Sequence, residues 1–95
     1  MTVDDVLAQL SEESAAEFDR QGYALLAEHG YKVEGAGRDP AVLRAVKRRM
    51  RRRRESLIYD CSMTDEGFLL WVELRRRGRL LGRSRGLHIK LGRAQ

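Results

Sequence analysis

Between Arg44 and Arg54 the chain carries eight cationic side chains: Arg44, Lys47, Arg48, Arg49, Arg51, Arg52, Arg53 and Arg54. Such a density repels itself unless an anion sits opposite, so the segment points to an acidic partner inside or outside the molecule. Arginine's planar fork holds a phosphate or carboxylate at two points, whereas lysine offers a single point charge. Arg75, Arg76, Arg77 and Arg79 surround Gly78, and Arg83 and Arg85 follow. The chemistry these residues offer is anion binding. Nothing among them resembles the asparagine or glutamine that reads adenine, so recognition of backbone or shape is expected, not of bases.

Catalysis has little material. The chain has two histidines, His29 and His88, and one cysteine, Cys61. That is too few ligands for a structural zinc site. No phosphate-cradling glycine motif, nucleophile elbow or paired-carboxylate spacing is present. The one enzymatic alternative is a small ribonuclease with His88 as base among arginines. His29 reads as a helix-end residue and Cys61 as a small core residue. No cofactor and no metal are expected.

Ninety-five residues, 42% hydrophobic and 35% charged, make a single small domain, residues 1–95, with a modest core and a highly charged surface. The charge is polarised. Residues 1–36 hold two cations against eight acids, a net of −6, and residues 37–95 hold seventeen cations against six acids, a net of +11. Either the acidic segment neutralises the basic one within the fold, or the basic part meets an external anion. The acidic start, the lone cysteine and the lack of a long apolar run suggest a cytoplasmic protein without membrane contact.

The pattern that must position these groups is helical first. A short helix is expected from Asp4 to Leu10 with Thr2 as its cap. A second follows Ser11, with the stripe Ala15, Phe18, Gly22, Leu25 and Leu26, and ends at Gly30. Gly22 inside that stripe suggests close approach of another element. Tyr31 to Glu34 reads as a brief extended segment and Gly35-Ala36-Gly37 as a loop. Asp39-Pro40 opens a basic amphipathic helix, residues 39–55, that buries Val42, Leu43, Val46 and Met50 and presents Arg44, Lys47, Arg48, Arg51 and Arg52. These five span about 12 Å at 1.5 Å per residue.

From Ser56 the period falls to two, and residues 56–92 read as an antiparallel sheet. A four-residue loop places Met63 opposite Phe68, Cys61 opposite Leu70 and Tyr59 opposite Val72. A three-residue turn, Arg76-Arg77-Gly78, then pairs Leu74 with Leu80, Val72 with Gly82 and Trp71 with Arg83. Bare Gly82 and Ser84 suit a helix lying close, and a bulge near Gly86 turns Leu87, Ile89 and Leu91 inward. The expected fold is α+β: N-terminal helices, then a three-stranded antiparallel meander with helices packed on one face.

Two sites and two functions follow. The first site is nucleic-acid-binding: Arg44, Lys47, Arg48, Arg51 and Arg52 on the helix, with Arg75, Arg77, Arg79, Arg83 and Arg85 on and beyond the hairpin. It makes the chain a non-enzymatic module for nucleic acid or a nucleoprotein complex. The second is the outer sheet face around Trp71, with Ile58, Leu69 and Leu81, which needs a cover. It makes the chain a protein-interaction module, a homodimeric adaptor or a compact inhibitor of the phage anti-defence kind, whose cations engage an acidic protein partner.

Overall fold

The computed structural model describes residues 2–33 and 39–90. Three helices, α1 (Val3–Ala8), α2 (Glu12–Glu28) and α3 (Pro40–Arg53), precede four strands: β1 (Glu55–Met63), β2 (Gly67–Arg76), β3 (Arg79–Arg83) and β4 (Leu87–Lys90). The fold is α+β, with an antiparallel β1-β2-β3 meander and β4 added on β2. No described helix is long and apolar enough to cross a membrane.

Each helix begins where a side chain satisfies its first free N–H groups. Thr2 Oγ1 accepts from the Asp5 amide at 3.2 Å while the Asp5 carboxylate accepts from the Thr2 amide at 2.9 Å, a reciprocal cap. Ser11 Oγ accepts from the Ser14 amide at 3.1 Å. Asp39 accepts from the Ala41 amide at 2.9 Å, and Pro40 occupies the first turn, where its missing N–H does no harm. After Gly30, Tyr31, Lys32 and Val33 run outside any strand, and the Tyr31 side chain is buried in the core. Glu34, the Gly35-Ala36-Gly37 loop and Leu91 lie outside the described residues.

The register of β1 on β2 is the expected one, from Met63 opposite Phe68 to Glu55 opposite Arg76. The next hairpin differs. Its loop is two residues, Arg77 and Gly78, with φ of 50° and 80°, the left-handed pair that a tight type I′ turn demands. Arg76 therefore pairs with Arg79, Arg75 with Leu80, Leu74 with Gly82 and Glu73 with Arg83, and the extra residue is Leu81. Two positions change together: Leu80, expected on the inner face, is exposed opposite Arg75, and Leu81, expected on the outer face, packs against the core.

The third strand also breaks earlier than expected. Residues 84–86 leave the ladder and β4 resumes on the same edge of β2, with Leu70 opposite Leu87 and Phe68 opposite Ile89. One backbone bond persists there and side chains replace others. The Ser84 amide donates to Val72 O at 2.8 Å, and the Val72 amide donates to Ser84 Oγ at 3.0 Å. From α2, Gln21 takes the Gly86 amide on its carbonyl and gives its NH₂ to Gly86 O, both at 2.9 Å. Buried polar groups must find such partners or the break would be expensive.

Phe68, Leu70, Val72 and Leu74 form the floor of the core, against Val6, Phe18, Leu25, Leu26, Tyr31 and Val46. A β-carbon at Gly82 would lie 2.8 Å from His29 Cε1 and 3.2 Å from Leu25 Cδ1, so the end of α2 does lie close on the sheet there. Gly22 is different. A β-carbon at Gly22 meets nothing within 4 Å, so no close approach accounts for this glycine; it borders an apolar groove between α2 and α3, floored by Leu57, Tyr59 and Val72. Gly22→Ala is therefore expected to stabilise the domain by about 0.5–1 kcal/mol, read as a raised urea midpoint at constant m-value.

Candidate nucleic-acid interface

The helix that carries most of the charge is anchored by Val46, which is buried, and by Val42, Leu43 and Met50, which are half-buried. Opposite them Arg44, Lys47, Arg48, Arg51 and Arg52 are exposed, and none meets a carboxylate among the described residues. Arg53 comes round to the buried side. Its guanidinium lies 4.9 Å from the centre of the Tyr31 ring, Nη1 donates to His29 O at 3.2 Å, and Nε is 3.5 Å from Glu55. With Arg51 and Arg52 it occupies the last turn, where the helix dipole favours cations.

Glu55 is the centre of this region. Its side chain is wholly excluded from solvent and accepts from Tyr31 Oη at 2.5 Å and from Arg76 Nε and Nη2 at 3.0 and 2.5 Å. Burial works against its charge, but the hydrogen bonds from Tyr31 and Arg76 and the charges of Arg53 and Arg76 outweigh it, holding the carboxyl below its ordinary value. Burial and the bond to Glu55 push the Tyr31 hydroxyl up to about 12. The pairing of Glu55 with Arg76 brings the end of α3 against the tip of the β2–β3 hairpin. There the Arg77 amide donates to Arg54 O at 3.1 Å. Arg52, Arg53, Arg54, Arg76 and Arg77 line the resulting cleft, which is shallow and open to solvent.

Two of these arginines hold unusual backbone conformations. Arg54, which ends α3, has φ 56° and ψ 38°, and Arg77, which begins the turn, has φ 50°. An L side chain in the left-handed region costs roughly 1–2 kcal/mol, which is why glycine or asparagine normally takes these places.

The other arginines expected at the site are engaged within the fold. Arg75 donates to Glu73 at 2.8 Å and to Gly78 O at 2.6 Å, clasping its own hairpin. Arg85 meets Glu17 at 3.0 Å, and Glu17 also accepts from Arg20 and Gln21. The hydrogen bonds from Gln21, Arg20 and Arg85 lower Glu17 to about 2. Arg83 sits opposite Glu73, not Trp71, yet its guanidinium lies 4.7 Å from the Trp71 ring centre. Arg79 is exposed beside the turn and shows no carboxylate partner among the described residues.

On the outer sheet face Trp71 is half-buried and its Nε1 donates to Glu73 at 2.9 Å. The Trp71 and Arg75 bonds hold the Glu73 carboxyl below its ordinary value. Leu69 is half-buried, with Cδ1 2.9 Å from where a β-carbon of Gly86 would stand, and Ile58 is 41% exposed. His88 is exposed on β4 opposite Leu69, and His29 caps α2 with Nδ1 3.0 Å from Leu25 O. No group of three metal-ligating side chains comes together among the described residues.

Arg54 and Arg76, though named among the clustered cations, were not assigned to the nucleic-acid site from sequence. The signal was the β1–β2 register itself, which, continued past Glu55 and Arg76, sets Arg54 across from Arg77. No family model, no curated protein and no solved structure matches this chain.

Glu55→Gln is expected to destabilise the protein by about 2–3 kcal/mol, below the usual range for a broken buried pair because Arg53 and Arg76 can regain water. The folded carboxyl is depressed below 4.5. Its contribution is therefore present above that pH and is lost as pH falls towards the folded value. Denaturant midpoints from pH 3 to 7 should rise less steeply in the Gln variant than in the parent.

Proposed function

We propose that the protein is a non-enzymatic module that binds the phosphate backbone of nucleic acid, free or within a nucleoprotein complex, along α3 and the adjoining hairpin turn. One observation carries this reading. The exposed cations Arg44, Lys47, Arg48, Arg51 and Arg52 lack carboxylate partners among the described residues, and the Arg77–Arg54 backbone bond joins the end of their helix to the hairpin, which supports a single basic face. The surface is made of guanidinium groups without base-reading amides, which favours backbone or shape recognition. Arg75 and Arg85 contribute less to this face than the sequence suggests, being held by Glu73 and Glu17.

A second reading, a protein-interaction module, draws on Ile58 and Leu80, which are 41% and 47% exposed on the outer sheet face. Trp71 is a poor base-stacking platform, because Arg83 lies over its ring and Glu73 holds its indole N–H. On this second reading Ile58→Asp breaks a complex or a homodimer that survives moderate salt.

For the proposed function, binding to duplex DNA should weaken with salt at a log–log slope of roughly −4 to −5 for the helix face, near −0.9 per phosphate. Changing Arg44, Lys47, Arg48 and Arg51 together to alanine should abolish that binding and leave Tm nearly unchanged, since all four are exposed. Trp71→Ala should change affinity little. Fluorescence anisotropy at several salt concentrations reads all three, and undiminished affinity in the fourfold variant rejects this site.

A further inference from the structure

We propose that the cleft between the end of α3 and the hairpin turn seats one phosphate group of the bound strand, gripped jointly by Arg54 and Arg77. This rests on the nucleic-acid reading and names one of its phosphate contacts. Five guanidinium groups line the cleft, and a single carboxylate, Glu55, lies beneath them with its side chain out of solvent. Glu55 holds Arg53 and Arg76 in place, so part of the cationic wall is oriented before any ligand arrives. Arg52, Arg54 and Arg77 meet no carboxylate among the described residues. The α3 carbonyl end contributes about half a negative charge, which a surplus of four guanidinium charges over Glu55 outweighs.

The backbone adds an independent observation. Arg54 and Arg77 both occupy left-handed positions, at φ 56° and 50°, and the Arg77 amide bonds to Arg54 O. Glycine at one and asparagine at the other would relieve the strain. Two adjacent strained positions that both carry arginine, at the mouth of a cationic cleft, are what a site retained for its charge would show.

The test separates stability from binding. Arg54→Gly and Arg77→Asn should each raise Tm, and each should weaken oligonucleotide binding roughly five-fold near 0.15 M salt, while the double variant should lower the salt slope by about 0.9, a single phosphate. Oligonucleotides with a 5′-phosphate or a 5′-hydroxyl distinguish the source of the group. A loss that persists with the hydroxyl end assigns an internal diester, and a loss confined to the phosphorylated end assigns a terminal monoester. Raised Tm with unchanged affinity, beside a fourfold α3 variant that no longer binds, overturns the cleft alone. A double variant whose slope falls by two phosphates overturns the shared grip. If the parent protein binds no oligonucleotide, the nucleic-acid reading fails, and inorganic phosphate and pyrophosphate titrated against the Glu55 and Gly78 amide resonances decide the cleft. No saturable shift then overturns it.

Discussion

A carboxylate shut away from water must be met by cations and hydrogen-bond donors, and Glu55 is met by three side chains from three parts of the chain. Tyr31 follows α2, Arg53 closes α3, and Arg76 ends β2. The first residue of the sheet is thereby tied to both long helices and to the hairpin. The β1–β2 register already sets the helix end beside the turn, and the Glu55 carboxylate fixes how Arg53 and Arg76 are oriented there.

The division of charge along the chain acquires a spatial meaning. Acidic residues of the first segment are used locally and across the sheet's far edge: Asp5 closes the Thr2 cap, and Glu17 gathers Arg20, Gln21 and Arg85. The pairs made by Asp5 and Glu17 involve no residue of α3. Neutralisation is therefore partial and regional. It covers Arg85 and leaves Arg44 to Arg52 facing solvent, so the molecule carries a field that is stronger at one end than its formal charge of +5 conveys.

Much of the scaffold was legible because it rests on local chemistry. Thr2, Ser11 and Asp39-Pro40 announce helix starts, and the alternation of Leu57, Tyr59, Cys61 and Met63 against Phe68, Leu70 and Val72 leaves β1 and β2 one register. The second hairpin was not legible in the same way. Leu80 and Leu81 are alike, so a one-residue slip exchanges them without disturbing the hydrophobic pattern, and an arginine at the first turn position hides a two-residue loop. Gln21 escaped because a polar residue in an apolar stripe looks like an interruption, when it is the group that holds Gly86. The basic ridge of α3 could be read directly. Its union with the turn depended on carrying a register past the visible strand.

The interruption at residues 84–86 bears on how this sheet can grow. Beyond β2 the edge consists of pieces of five and four residues, bent at Leu81 and pinned by Gln21. Such an edge is a poor template for an incoming strand. The opposite edge, β1, runs nine residues and pairs only with β2 among the described strands. Among the described residues any strand addition would therefore be confined to β1, and two chains joined there would leave no continuous border for a third, halting assembly at a pair before a fibre could begin.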